Sequence, residues 1–318
     1  MFNLFGNILT AYGVAANNRG ENVGNVSKLQ KLLWHGETHT TVSAEAIRWS
    51  LRYTWQRQGL AVNRVWNPMT LSYTWEDPDF NPDKYFDDDI LGFMHAEAAK
   101  IDDGDNEGAQ DNIQEDFLDN ADSIEPLPIP VKAKARRKPK PKGIALKRRG
   151  ALDVTPAVST RPFHGDVTFN ARSGEKNRTS LYATERHATY YQYGFCLSPE
   201  YLWDRSRTLA VLDGLVGIDK VAGNHGRFLF DFAPTNIVLR WTQDLNPRLL
   251  YCFDQDEQEE LSLSDLVYRV NSGDLDPKEL WIGGQLSQGL EELGANLFPG
   301  SLLAVTDLKT LIARDLGI

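Results

Sequence analysis

The stretch "NLFGNILTAYGV", residues 3–14, alternates at period two: Leu4, Ile8, Tyr12 and Val14 share one face, and Phe5, Leu9 and Ala11 share the other. That pattern predicts a strand with both faces at least partly covered. The next strong signal is "SAEAIRWSLRYTWQRQG", residues 43–59, which reads as a helix. Ser43 is its N-cap, Glu45 lies in its first turn and Gly59 follows its end. Ile47, Leu51 and Trp55 recur at four-residue spacing on the core side, with Arg48 and Arg52 as a second stripe beside them.

Further along, residues 160–197 read as extended chain around a polar middle, Asn170–Arg186, which predicts a long projecting hairpin. "SPEYLWDRSRTLAVLDGLVGI" predicts a helix with Ser198 as N-cap and Pro199 at its first position. "VAGNHGRFLFDFAPTNIVLRWT" reads as a glycine-rich turn entering a strand, and "LSDLVYRVNSG" and "TDLKTLIARDLGI" read as short helices. No internal repeat is present. Strands at both ends of the chain around a long insertion predict one α+β domain with excursions, not two independent domains.

With 318 residues, 41% of them hydrophobic, the chain is long enough to bury a substantial core. No run reaches the roughly 18 to 20 apolar residues of a membrane span, and "MFNLFGNILTAYG" lacks the basic flank of a secretory signal. The two cysteines, Cys196 and Cys252, make neither a disulfide framework nor zinc-ligand spacing, and read as buried small apolar residues. The expectation is a cytoplasmic protein with no membrane contact.

The net charge of −10 is unevenly spread: residues 76–125 carry −16 and residues 131–150 carry +10, leaving −4 elsewhere. A nucleic-acid partner is therefore not excluded, because steering fields act locally. From about residue 63 to residue 150 the chain is acidic and turn-rich, then rich in proline and lysine, a composition expected of disorder or a linker.

Enzymatic motifs are thin. "GNHGR", residues 223–227, matches an element of metallophosphoesterases, but that chemistry also needs an Asp-x-His pair, and none occurs. His35 and His39 are four apart on a stretch that makes a poor helix, so neither is expected to ligate metal. There is no G-x-S-x-G and no P-loop. Asp87–Asp89 reads as a solvated acidic run. Phe228, Phe230 and Phe232 alternate as on a stacking strand for RNA, although an ordinary core face is the favoured reading.

A phosphate-binding reading fits more residues. Ser43 at a helix N-terminus offers a hydroxyl beside exposed backbone N–H groups, and Arg48 and Arg52 put two guanidiniums on one stripe. Arg19 lies in the loop "NNRGENVGNV", residues 17–26, whose backbone can approach a ligand closely. For Arg48 and Arg52 a solvated helix face is an equally good account of the spacing.

Taken together, "NNRGENVGNVSKL", "TTVSAEAIRWSLR", "STRPFHGDVTFNARSG", "HATYYQYGF" and "VAGNHGRFLFDFAPTNIVLR" resemble the Cas seven family, specifically its DevR-like branch found in type I-B CRISPR effector complexes (Cascade). The similarity runs in order over most of the chain outside residues 64–150. One departure is in the turn, where Ala222 stands in place of the usual glycine and Gly226 in place of alanine.

The resemblance implies an RRM-like (ferredoxin-like) palm with finger insertion and projecting thumb hairpin. It divides the chain into 1–63 (palm, N-terminal part), 64–150 (charged, finger-like insertion), 151–190 (palm strand and thumb hairpin) and 191–318 (palm, C-terminal part). It implies a backbone subunit stacked head to tail with further copies of itself along a CRISPR RNA, which it presents to target DNA. Its partners would be a large subunit, a guide-end-capping subunit and a guide-processing subunit. Arg19, Asn22, Ser43, Arg48, Arg52, Asn224, His225 and Arg227 would contact the RNA, and Asn170, Arg172, Lys176 and Arg178 would belong to the thumb. Arg136, Arg137 and Lys138 would make DNA or inter-subunit contacts. No catalytic residue, metal or cofactor is expected, in keeping with a protein that reads backbone and shape while base pairing reads sequence. Two alternatives stand beside it. A target-RNA endonuclease of the same family would use a palm aspartate, for which Asp166 is a candidate by position alone. A transcriptional regulator would need a helix-turn-helix, which is not recognisable.

Overall fold

The computed structural model describes residues 1–17, 22–96, 145–171, 181–223, 225, 228–256 and 258–318. Residues 1–93 with 148–318 form one compact unit, and residues 94–147 form a second. Residues 97–144, which hold most of the acidic and basic tracts and include Arg136, Arg137 and Lys138, lie outside the described residues, as do Arg19, Arg172, Lys176, Arg178, Asn224 and Arg227.

The first unit is built on nine strands: β1 (Asn3–Thr10), β2 (Lys31–Trp34), β3 (Glu37–Val42), β4 (Leu152–Val154), β5 (Ala157–Ser159), β6 (Tyr191–Leu197), β7 (Pro234–Thr242), β8 (Leu280–Gly283) and β9 (Asn296–Phe298). They run in the order β9-β8-β7-β1-β6-β5-β3-β2, with β4 also paired to β6. All the pairings are antiparallel except β8 with β9. Five α-helices are described: α1 (Ala44–Arg57), α2 (Phe86–Ile90), α3 (Arg207–Val216), α4 (Ser264–Asn271) and α5 (Ser301–Leu316). The unit is a mixed α and β structure.

All eight residues of β1 are buried, as the two-sided pattern requires. Leu4 and Ile8 join a core containing Ile47, Leu51 and Trp55 of α1, Val211, Leu212 and Leu215 of α3, and Leu308 and Ile312 of α5. Phe5 and Leu9 face a second core, with Leu249, Phe253, Leu263, Leu266 and Leu275 from the segment that covers the opposite side of the sheet. Gly6 sits between β6 and β7, where a Cβ would lie 2.3 Å from the Phe195 ring. Only glycine fits there without repacking.

The strand ends sooner than the alternation predicts. Its register shifts between Leu9 and Thr10, where the Thr10 hydroxyl donates to the Ala11 carbonyl (3.1 Å) and accepts from the Tyr191 N–H (2.9 Å). Tyr12 and Val14 are consequently exposed, and Gly13–Ala15 pairs instead with His187–Thr189.

Helix α1 follows its sequence signals. The Ser43 hydroxyl accepts from the Ala46 N–H (3.3 Å), and Gly59 takes a left-handed φ of 85° just past the end. The helix expected from Ser198 breaks into a short 3-10 turn, Pro199–Tyr201, and α3. The Ser198 hydroxyl donates to Asn3 Oδ1 (2.8 Å) instead of capping. The Trp203 N–H donates to Asp89 Oδ1 (2.8 Å), which pulls the chain off a helical path before Arg207.

Two further expectations are corrected. Residues 228–233 are not strand: Leu229 has a φ of 56°, and Phe230 and Phe232 reach the core from irregular chain ahead of β7. Asp87, Asp88 and Asp89 are not a solvated run; they are at most 1% exposed. Asp87 Oδ2 pairs with Arg52 Nε (3.1 Å) and lies 3.8 Å from Arg64 Nη1. Asp88 accepts from Asn63 Nδ2 (2.9 Å) and the Asn81 N–H (3.2 Å). Asp89 joins Arg148 (2.7 Å) and Arg207 (2.8 Å).

Candidate nucleic-acid interface

Three segments that are remote in sequence come together. Val26–Ser27, after the opening loop, pairs in parallel with Leu181–Glu185 through Ala183–Val26 and Thr184–Ser27. Leu181–Glu185 is one arm of the expected hairpin, and Val167–Ala171, which includes Asn170, is the other. The third segment is the turn at His225, tied in by the Arg186 guanidinium, 5.0 Å over the Phe228 ring.

The junction is held by a carboxylate. Glu185 is nearly buried and accepts from Lys28 Nζ (2.9 Å), Lys31 Nζ (2.6 Å) and the Leu29 N–H (2.9 Å). Burial alone would raise its pKa, but these hydrogen bonds, led by that of Lys31, outweigh it and hold the group below its ordinary value. Two ammonium groups against one carboxylate leave a cationic floor suited to phosphate. Lys28, Lys31 and Arg186 do not emerge from sequence reading, because only their lateral pairing marks them; the lysines at i and i+3 in "SKLQK" are a faint signal.

Asn22 is exposed and accepts from the Ser27 hydroxyl (2.7 Å) in the Asn22–Val23/Val26–Ser27 hairpin. His225 is fully buried, and neither ring nitrogen has a hydrogen-bond partner among the described residues. Its ring centroid lies 5.0 Å from Phe230, 5.7 Å from Tyr191 and 6.3 Å from Phe232. Burial pushes its pKa down to about 4, so the imidazole is neutral and acts by shaping the turn. Ala222, where the resembling family uses glycine, adopts a left-handed φ of 61°. Relieving its Cβ strain by Ala222→Gly is expected to raise stability by up to about 1 kcal/mol in urea unfolding; an equal loss would show the backbone is at ease there.

Ser43, Arg48 and Arg52 form a second group. Ser43 and its neighbours open α1, Arg48 Nη2 donates to the Leu91 carbonyl (2.7 Å), and Arg52 serves Asp87. Burial lowers the Arg52 guanidinium to about 10, with Arg64 adding to the effect and Asp87 opposing it, so it stays charged at neutral pH. Asp166 is exposed, and its carbonyl accepts from the Arg186 N–H (3.0 Å). Among the described residues no three His, Cys, Asp or Glu side chains are grouped to hold a metal ion. No described helix is long and apolar enough to cross a membrane.

No family model matches the chain. A protein of Myxococcus xanthus (strain DK1622) described as "CRISPR-associated protein Cas7/Cst2/DevR" is 40% identical over 303 residues, covering 90% of this chain and 88% of that protein. The chain belongs to the Cas7/Cst2/DevR family. Among solved structures, a chain titled "CRISPR RNA-guided surveillance complex" matches with a TM-score of 0.52 and 13% identity, covering 98% of this chain and 99% of that one. One titled "CRISPR RNA-guided surveillance complex, pre-nicking" matches with a TM-score of 0.56 and 10% identity, covering 98% and 100%. At such identities the Cas7-type chain shares a fold with them.

Proposed function

We propose that this Cas7-family chain is the CRISPR RNA-binding backbone subunit of a type I Cascade, of subtype I-B, and that it presents the guide for pairing with target DNA. The observation that carries the reading is 40% identity across most of both chains to a Cas7/Cst2/DevR protein. The order β7-β1-β6-β5, with α1 between β1 and β5 and α3 between β6 and β7, supports an RRM-like palm at the centre of the sheet. The hairpin of Val167–Ala171 with Leu181–Glu185 is then the thumb. Copies stack head to tail in an open helical array, beside a large subunit, a guide-end-capping subunit and a guide-processing subunit.

The guide backbone runs over Lys28, Lys31 and Asn22 toward the turn that His225 supports, and Arg48 at the start of α1 supplies a further phosphate contact. Arg52 contributes less, because its charge is already shared with Asp87. The chain itself carries no catalytic group in this reading.

The test is to express the chain with its operon neighbours, purify the assembly, and sequence the RNA that accompanies it while assaying metal-dependent RNA cleavage. Short uniform RNAs with repeat-derived ends, left uncut, are expected. Protein free of RNA would favour a regulator, and regularly spaced cleavage of added target RNA a nuclease. Arg48→Ala should lower the log–log salt slope of guide binding by about 0.7, the share of one single-strand phosphate contact.

A further inference from the structure

The first unit also carries an aromatic surface that the guide groove does not use. A hairpin, Val65–Asn67 with Ser72–Thr74, lies against α1, and the two leave Trp49 45%, Trp66 48% and Tyr73 37% exposed. Trp49 and Tyr53, four apart on α1, stack at 5.7 Å with planes 9° apart. Tyr73 meets Trp49 edge-on at 6.0 Å and Trp66 at 5.2 Å, so the rings are continuous. Contiguous exposed apolar area of this kind marks a surface kept for a partner.

The charges beneath the rings say which partner. Arg52, Arg64, Trp49, Tyr53 and Tyr73 line one cleft. Arg52 and Arg64 share the single carboxylate of Asp87 (3.1 and 3.8 Å). Two guanidiniums against one carboxylate leave a positive excess under flat, wet rings. The neighbouring acids are turned aside: Asp88 faces Asn63 and Asn81, Asp77 accepts from the Asp79 N–H, and Glu76 lies 3.9 Å from Lys84. Stacking faces over cationic groups are what sequence-tolerant binding of single-stranded nucleic acid requires.

We infer that this platform holds the DNA strand displaced when the guide pairs with its target, stacking unpaired bases on Trp49, Trp66 and Tyr73 with phosphates toward Arg64. The strand assignment rests on the guide-backbone reading. A surface that stacks bases withholds them from pairing, which suits a strand left without a partner and works against a guide that must pair.

The test compares the parent assembly with Trp66→Ala/Tyr73→Ala, two exposed positions, and with Trp66→Phe/Tyr73→Phe, which keeps the rings. Three readouts are taken: guide RNA content, permanganate reactivity of displaced-strand thymines on a matching DNA duplex, and anisotropy of a labelled oligothymidine with the RNA-free chain. In the alanine variant the guide content should hold, the thymines should become reactive, and oligothymidine affinity should fall roughly tenfold or more, with recovery in the phenylalanine variant. Unchanged reactivity, or unchanged oligothymidine affinity, overturns the proposal. Loss of guide from the alanine variant assigns the platform to the guide instead, and a change in subunit stoichiometry assigns it to a neighbouring protein; either overturns it too. If the parent assembly holds no guide, the guide-backbone reading has failed, and the oligothymidine arm still decides whether the rings bind unpaired bases.

Discussion

Asp89→Ala is expected to destabilise the first unit by about 3–5 kcal/mol, the cost of removing one partner from a buried ionic cluster. Asp89 is fully buried; its Oδ1 accepts from Arg148 Nη2 (2.7 Å) and the Trp203 N–H (2.8 Å), and its Oδ2 accepts from Arg207 Nη1 (2.8 Å). Removing the carboxylate orphans a backbone donor and leaves two partly buried guanidiniums without their charge partner, held by the neutral carbonyls of Tyr201, Pro82 and Asp83. The loss is also local in its consequences. Arg148 stands where the chain re-enters the first unit after residue 147, and α2 precedes its exit after residue 93. Urea unfolding would read the total, and hydrogen exchange at residues 86–93 and 203–208 would read the local part. A shift below about 1 kcal/mol would mean that the carbonyl acceptors and water hold the two arginines nearly as well as the carboxylate does.

That cluster also marks where the sequence stops being legible. Helix α1 is readable because its cap, first-turn acid, apolar spacing and terminating glycine all lie within one stretch of seventeen residues, Ser43–Gly59. Strand β1 is readable for the same local reason, up to the register shift at Thr10, which depends on Tyr191, far away in the chain. Asp87–Asp89 gives the opposite case. Three adjacent acids look solvated until Arg52, Arg64, Arg148 and Arg207 arrive from four other places. The candidate groove divides likewise. Its three segments can be picked out by composition, but the Glu185 junction and the burial of His225 are properties of pairing between segments, which no spacing rule carries.

Acidification is the second large lever. His187 is held down to about 4 by burial, with His39 adding to the effect, and His225 to about 4 by burial alone. A histidine whose folded pKa lies below its unfolded value of about 6.5 binds fewer protons when folded, so stability falls as pH drops from about 6.5 and levels off below about 4. Between about pH 7 and about pH 5 each of these two contributes a loss of about 2 kcal/mol. Asp88 acts in the opposite direction. Burial, with Asp87 adding to it, raises its pKa to about 6, so it gains a proton more readily when folded and returns about 1 kcal/mol over the same window. The net expectation is a loss of roughly 2 to 3 kcal/mol at about pH 5, measured by urea midpoints at fixed ionic strength. His225→Leu removes one titrating group without placing a new polar atom among Tyr191, Phe230 and Phe232, and it should flatten the pH dependence by about 2 kcal/mol. An identical pH profile in parent and variant would place the acid sensitivity elsewhere. Because His187 pairs with Ala15 and His225 supports the turn, the same window should loosen these two segments first.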